Sequence, residues 1–270
     1  MSRLGLGLGS QISAGKLTIY DADALTYINA VQAADGQSLE NRVKVAINDF
    51  VIGCKADGIW DAIVASCIMA GARTVAGAIV PLKGNAPTNN NFVIGDYSRK
   101  LGLLGDASTK FISTNYNNTA FAQDDAHISC YATQAPTISA TLSRMFIGQV
   151  VAIGGRLWML SNTSGNLNIK NRSSATGGVT ITGEGTTTGF KGHSRSSSTN
   201  TIIRSSQTNT ISSISSTTLV SGTIAVFNNG ASAQYSDARI SFYSLGSNID
   251  LALLDTRITT LMTTLASVIP

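Results

Sequence analysis

The sequence predicts a mainly β protein, a sandwich or barrel that follows a short helical region and ends in a helix. From residue 110 onwards, short runs rich in β-branched residues alternate with Gly, Asn and Ser turns roughly every 8–12 residues. In residues 194–223, 18 of 30 residues are Ser or Thr, and isoleucines recur among them. This composition is too β-branched for a helix and too regularly apolar for a disordered tail, so it indicates the surface of a sheet.

Residues 1–20 begin with an alternation of Leu and Gly that disfavours a helix. Leu4, Leu6 and Leu8 present apolar groups at a period of two residues. Such a strip is suited to docking as an extended strand on another protein. The alternative is a mobile terminus, and the sequence leaves both open.

Residues 21–73 are predicted to form a compact helical region. The first helix spans residues 21–34 and ends at an Asp-Gly pair. Ser38 is a suitable N-cap for a second helix, and a third is expected from residue 59 to residue 70, with Gly71 ending it. The second helix carries an amphipathic stripe of five apolar residues: Val43, Ile47, Phe50, Val51 and Cys54.

Residues 74–270 are predicted to form the β domain. Residues 75–82 are a short apolar run before Lys83-Gly84 and are expected to be a strand. A turn-rich stretch follows it. The later candidate strands are residues 110–113, 127–133, 143–153, 157–162, 167–171, 179–183, 187–194, 200–205, 208–214, 217–228 and 237–245.

The chain is predicted to end in a helix that starts at residues 248–250. We expect one apolar face of this helix to pack on the rest of the same chain, and the alternative is an interface with a partner chain. That face consists of Leu251, Leu254, Ile258, Leu261, Met262 and Leu265.

The bulk composition disfavours several classes of protein. Charged residues make up 13% of the chain and the net charge is +4, with the basic residues scattered, so no nucleic acid is expected as a partner. Cys54, Cys67 and Cys130 lack the spacing of a metal or redox site and are predicted to be buried free thiols. We find no secretion signal in residues 1–10 and no apolar run that is long enough for a bilayer, so synthesis in a cytoplasm without membrane insertion is expected.

Three polar clusters resemble functional sites, and each also has a structural interpretation. Residues 9–16 resemble a phosphate-binding loop, but the glycine spacing and Leu17 depart from that pattern. Asp125 and His127 would share one face of a strand and suit a metal ion, although a turn that leads into a strand explains residues 123–127 better. Residues 85–92 form a polar loop whose Asn side chains are expected to cap its own turns.

The sequence therefore assigns no catalytic, cofactor-binding or metal-ligating residue. We expect that the protein uses no cofactor and is not an enzyme. The chain has two histidines, and its two glutamates, Glu40 and Glu184, lie far apart in sequence. Hydrolysis of glycosides or esters requires acidic or nucleophilic groups that act in pairs.

Two segments resemble a known family. Residues 51–93, which begin VIGCKADGIWDAIV, resemble a domain that recurs in virion proteins of tailed phages. Residues 226–261 are similar to the last strands and closing helix of a concanavalin A-like, laminin-G-type jelly roll. There the Asn229-Gly230 turn precedes the strand ARISFYSLG at residues 238–246, which leads into the final helix.

The resemblance implies a jelly-roll β-sandwich in residues 74–270 and a structural role in a tailed-phage virion, as a tail fibre or baseplate appendage. Residues 1–20 would anchor the chain to other virion proteins, and homo-oligomers, trimers by analogy with fibres, are expected. A host-surface glycan is the expected ligand, bound by polar loops such as residues 115–118 and 162–166. The alternatives are a capsid decoration protein and a polysaccharide-degrading tail enzyme. In each case the expected location is the virion.

Overall fold

The computed structural model describes residues 19–149, 155–173, 178–229 and 234–270. In these residues two antiparallel sheets face each other, and helices cover the outer face of the larger sheet. The predicted fold class, a mainly β sandwich with a small helical region and a C-terminal helix, is confirmed. The Leu-Gly strip, the loop at residues 9–16 and Gly230 of the predicted turn lie outside the described residues.

The larger sheet, sheet A, has nine strands within the described residues. Its main path runs in the order β14 (Thr208–Ser213), β13 (Asn200–Ser205), β12 (Gly189–Arg195), β7 (Ala126–Gln134), β16 (Arg239–Gly246), β1 (Ile63–Ile68) and β2 (Pro81–Lys83). Two further strands join through β16, namely β5 (Gly102–Leu104) and then β4 (Tyr97–Ser98).

The smaller sheet, sheet B, has seven strands in the same described ranges. Their order is β11 (Val179–Ile181), β10 (Leu167–Asn171), β9 (Leu157–Ser161), β8 (Arg144–Gly148), β15 (Thr223–Val226), β6 (Phe111–Asn117) and β3 (Thr88–Asn90). Side chains of both sheets form the apolar cluster between them. Because neighbouring residues of a strand point to opposite faces, strands β1, β2, β12 and β16 of sheet A also supply buried side chains to the helical layer.

The helical layer contains α1 (Ala22–Asp35), α2 (Asn41–Ala56) and α4 (Leu251–Val268). These helices share one apolar cluster with Ile63, Phe190 and Phe242 of sheet A. All six apolar residues of the predicted face of α4 are buried, so the prediction that this face packs on its own chain is confirmed. None of the helices in the described ranges combines the length and apolar character needed to span a bilayer.

The helix predicted for residues 59–70 is wrong, because residues 63–68 form strand β1. β1 pairs with β16 on one side and β2 on the other, and five of its six residues are buried. A strand buried on both faces is continuously apolar, which periodicity alone does not separate from a buried helix. Gly71, predicted to end that helix, follows the strand at φ +88° and donates its N–H to the Arg99 carbonyl.

The strand predicted for residues 75–82 is also wrong over its first half, where the short helix α3 (Val75–Ala78) begins after Thr74. The Thr74 hydroxyl accepts a hydrogen bond from the Gly77 amide, and the Asp35 carboxylate binds Thr74. Only Pro81–Lys83 pairs as a strand. The predicted N-cap of α2 is likewise wrong, because Glu40 and not Ser38 occupies that position.

Most later strands are confirmed with shorter boundaries. The predicted strand at residues 217–228 is limited to Thr223–Val226, and that at residues 143–153 to Arg144–Gly148 among the described residues. Strands β3, β4 and β5 were not predicted, because they lie in the turn-rich stretch and are two or three residues long.

Candidate functional site

The concave sites of the described surface include three with volumes of about 200 Å³ or more. One, of about 390 Å³, is an open groove between the end of α4 and strands β7 and β12. A second, of about 320 Å³, lies around Trp60. The third, of about 200 Å³, lies where the edges of the two sheets meet, and we name it the Glu184 pocket; it is lined by Ile181, Thr182, Glu184, Ile203, Ser205, Ser206, Thr208 and Thr210.

The Trp60 pocket contains an aromatic ring, but the ring is not available as a flat platform. Trp60 is 7% exposed, and the Lys83 ammonium lies 4.7 Å from the ring centroid while donating to the Trp60 carbonyl. The Lys55 ammonium lies 5.7 Å from the same centroid and is held by Asp21 and Asp23 at 2.8 and 2.6 Å. Cation–π contacts of the chain itself therefore occupy this ring.

The Glu184 pocket is built on a short turn, Glu184–Thr186, that is fixed against a neighbouring loop. Gly183 enters the turn at φ +78°, a conformation that favours glycine. A Cβ on Gly185 would lie 2.6 Å from both the Asn166 carbonyl oxygen and the Ser161 hydroxyl, so only glycine permits this approach. The Gly183 amide donates to the side chain of Asn166, and the Gly185 amide donates to the Gly165 carbonyl.

The opposite wall of the pocket is the hairpin of β13 and β14. Its two turn residues, Ser206 and Gln207, both have positive φ, +47° and +61°, as a type I′ turn requires. Neither residue is the Gly or Asn that this turn normally selects, so the conformation costs about 1 kcal/mol per residue. The Ser206 hydroxyl donates to Glu184 at 2.7 Å, which offsets part of that cost.

The Glu184 carboxylate is the centre of this pocket. Its Oε2 accepts hydrogen bonds from the hydroxyls of Thr187, Ser205 and Ser206, at 2.9, 2.6 and 2.7 Å. Its Oε1 accepts none from the described residues. Burial acts to raise the pKa of Glu184, but the three hydroxyl donors outweigh it and lower the pKa below its usual range. The carboxylate is therefore ionised at neutral pH and has one oxygen available to a ligand.

Lys191 lies directly behind the carboxylate and is fully buried. Its ammonium donates to the Glu184 carbonyl at 2.8 Å, to the Thr187 hydroxyl at 2.5 Å and to the Ser205 hydroxyl at 3.4 Å. Burial lowers its pKa to about 8. A buried titratable group with a lowered pKa beside a concave site is a typical feature of functional sites.

Comparisons with known proteins show what this architecture is similar to. No protein-family model matches the chain, and no curated protein matches it. Among solved structures, the binding domain of botulinum neurotoxin serotype D is 10% identical, with a TM-score of 0.50 over 74% of this chain and 50% of that one. The receptor-binding domain of the botulinum neurotoxin C/D mosaic serotype is 12% identical, with a TM-score of 0.51 over 74% of this chain and 51% of that one.

The shared fold is a β-sandwich. The chain matches about half the length of those toxin domains, and an identity of 10–12% shows the fold alone. The fold places the Glu184 pocket where strands β11 and β14, the outermost strands of the two sheets, approach each other.

The loops predicted to bind a glycan use their amides internally. Asn115 donates to the Ala86 carbonyl and the Thr88 hydroxyl, and the buried Asn118 accepts from Arg172. Asn162 accepts from two amides of its own loop, residues 162–166. This second loop supports the Glu184 turn and does not line the pocket.

The other polar clusters are also structural. The Asn89 side chain donates to the Phe92 carbonyl and accepts from the Phe92 amide, and Asn90 donates to the Thr88 carbonyl. The prediction that the asparagines of residues 85–92 cap their own turns is therefore confirmed for these two, while Asn91 donates to the Thr109 carbonyl outside the loop. Asp125 accepts from the Asn248 amide, and both ring nitrogens of His127 contact Ser244 or Ser247. The structure describes no group of three or more metal-ligating side chains within its assigned ranges. All three cysteines are buried and free, as predicted.

Sequence reasoning identified Glu184 only as an isolated glutamate, and it did not identify Lys191. The signal available was the alternation in residues 205–210, which places hydroxyls on one face of a strand pair. The contact with Glu184 depends on how the two sheets pack, which that alternation does not specify.

Proposed function

We propose that this protein is a non-enzymatic structural component of a tailed-phage virion, in a tail fibre or baseplate appendage, and that it contacts the host surface by binding carbohydrate in the Glu184 pocket. The observation that carries the binding proposal is the ionised carboxylate with a free oxygen, surrounded by hydroxyls and by the half-buried Ile181. Sugar rings need oriented polar partners for their hydroxyls and an apolar surface for their C–H groups.

Two further facts support the proposal. The β-sandwich is the fold of solved domains whose names describe binding or receptor binding. The assignment to a virion rests on the resemblance of residues 51–93 to a domain that recurs in virion proteins of tailed phages.

Binding is favoured over hydrolysis by the residues that line the pocket. Glycoside hydrolysis ordinarily uses two carboxyl groups about 5–10 Å apart. Glu184 is the single carboxylate among the described residues that line the Glu184 pocket.

A retention experiment on immobilised polysaccharide from the host envelope tests the binding proposal. We expect the full chain to be retained and a pocket-filling variant, Thr210→Phe, to pass through, because Thr210 lines the pocket. The matched control is Ile211→Phe on the same strand, where the side chain is 69% exposed on the opposite face. Equal retention of both variants would show that the glycan does not bind in the Glu184 pocket. Shortening of the immobilised glycan would indicate that the protein is an enzyme.

The virion assignment has a separate test. Imaging of intact particles with a label on this chain should place its copies on the tail. Copies on the capsid lattice would instead favour a decoration protein.

A further inference from the structure

We infer that the Glu184 pocket is selective for neutral or amino-bearing saccharides and rejects acidic ones such as uronates and sialylated or sulfated glycans. This inference rests on the proposed function, since it names the class of carbohydrate that the same pocket binds. It follows from the direction of the hydrogen bonds around Glu184 and from the position of its nearest cation.

The groups around Glu184, of which Ser205 and Ser206 line the pocket, present acceptors to a ligand. The hydroxyls of Thr187, Ser205 and Ser206 each direct their single proton at Glu184 Oε2. A hydroxyl has one donor and two lone pairs, so these three groups keep only acceptor capacity. Glu184 Oε1 adds a charged acceptor that receives no hydrogen bond from the described residues. A ligand group at this position must therefore donate, as a sugar hydroxyl or an ammonium does.

The nearby cation does not change this preference. An ammonium has three donors, and those of Lys191 are directed at Glu184, Thr187 and Ser205. Lys191 is also fully buried behind these groups, so it presents no donor to the pocket. A carboxylate or sulfate on the ligand would meet the charge of Glu184 without a free cationic partner, and like charges at short range repel strongly where water is partly excluded.

The remaining walls are uncharged. Thr182, Thr208 and Thr210 offer hydroxyls, and the half-buried Ile181 offers an apolar surface, while Ile203 is almost fully buried. Arg204 is the one basic residue of the β13–β14 hairpin. Its side chain points to the other face of the sheet, where it pairs with Asp255 at 2.7 Å. The charge that a ligand encounters in this pocket is therefore the single negative charge of Glu184.

Three sugars with the same ring and different substituents test the inference on the unmodified full chain. These are glucose, glucosamine and glucuronic acid, each titrated to high millimolar concentration while binding is followed by NMR. We expect glucosamine to bind about tenfold more tightly than glucuronic acid, with glucose between them. Thr210→Phe should abolish the response, which assigns it to the pocket.

The variant Glu184→Gln removes the charge and keeps the shape of the side chain. We expect it to reduce the ratio of the affinities for glucosamine and glucuronic acid from about tenfold to about threefold or less. Asp49→Asn is the matched control, because it removes one negative charge from an exposed position on α2 and should leave the tenfold gap unchanged.

Two results would overturn the inference. One is glucuronic acid binding in the pocket as tightly as glucosamine, and the other is failure of all three sugars to bind. The retention experiment on host polysaccharide decides the proposed function independently, so retention of the full chain combined with either result would reject the selectivity alone.

Discussion

Strands β7 and β12 are neighbours in sheet A and face the same interior, yet they fill it with opposite chemistry. β7 contributes Ala126, Ile128, Cys130 and Ala132, all fully buried in the apolar cluster between the sheets. β12 contributes Lys191, His193 and Arg195, which are also fully buried. The part of the sandwich interior beside β7 is therefore apolar, and we call it the apolar half. The part beside β12 contains buried charged side chains, and we call it the polar half.

The difference shows how the polar half remains stable. Buried arginines are costly unless their donors are paired. Arg195 donates to the carbonyls of Asn171, Ser197 and Ile214, and Arg172 donates to Asn118 and the carbonyl of Ala122. These guanidinium groups tie loops of both sheets together at the end of the sandwich, while Lys191 supports the Glu184 pocket. The apolar half contributes stability, and the polar half positions the candidate site.

The largest expected effect is in the apolar half. Ile128→Ala leaves a cavity in the tightly packed cluster, and we expect a loss of about 4 kcal/mol in the free energy of unfolding. Chemical denaturation measures it. Ile211→Ala at the exposed position on β14 is the control and should change stability by less than about 0.5 kcal/mol. Equal effects at the two positions would contradict the division between the halves.

A slightly smaller effect is expected from Arg172→Met in the polar half. The change removes the hydrogen bonds to Asn118 and leaves buried carbonyls without a donor, which should cost about 3 kcal/mol. The same denaturation experiment measures it, with the exposed Arg42→Met as control. If Arg172→Met left the free energy of unfolding unchanged or raised it, the hydrogen bonds of the Arg172 guanidinium would not stabilise this end of the sandwich.

The pH dependence of stability depends on one buried histidine from each of these two strands, His127 on β7 and His193 on β12. Burial lowers the pKa of His193 to about 3 and that of His127 to about 4, both below the value of about 6.5 in an unfolded chain. The unfolded state therefore binds more protons below pH 6.5, so stability is lost as the pH falls through that window.

Between pH 6.5 and 4.5 we expect each histidine to contribute a slope of up to about 1.4 kcal/mol per pH unit. Glu40, whose pKa is lowered to about 2 by Arg99, adds its own loss only below about pH 4.5. Denaturant unfolding at pH 7, 6 and 5 gives the slope, and His193→Leu should remove about half of it. A slope that is the same in both proteins would show that His193 does not remain neutral in the fold.

The smallest expected effect is at the hairpin turn of the Glu184 pocket. Gln207→Gly relieves a left-handed conformation and should stabilise the protein by about 0.5–1 kcal/mol. Ser206→Gly relieves the same kind of strain but removes the hydrogen bond to Glu184, so its net effect should be close to zero. Thermal unfolding of the two variants side by side measures the difference, and equal stabilisation would mean that the Ser206–Glu184 bond contributes nothing.

Parts of the fold could be predicted from the local sequence pattern, and particular residues show where this pattern was not sufficient. The apolar face of α4 repeats at the helical period, and the structure buries it as expected. The same reasoning assigned residues 63–68 to a helix, because a strand that is covered on both faces has no alternation to reveal it. Local pattern also does not assign the isoleucines of the Ser/Thr-rich strands to one face, since Ile203 is buried between the sheets while Ile211 on the other face is exposed.

The sequence by itself determined that the protein is a mainly β sandwich or barrel with a closing helix, because periodicity, turn residues and β-branched composition are local properties of the chain. Only the tertiary structure decided which polar residues form a site. Glu184, Lys191 and Ser206 lie in different elements, and they meet because the turn after β11 packs beside β12 and the β13–β14 hairpin. Hydrogen bonds of this kind depend on distance and direction between elements, which a one-dimensional pattern does not encode.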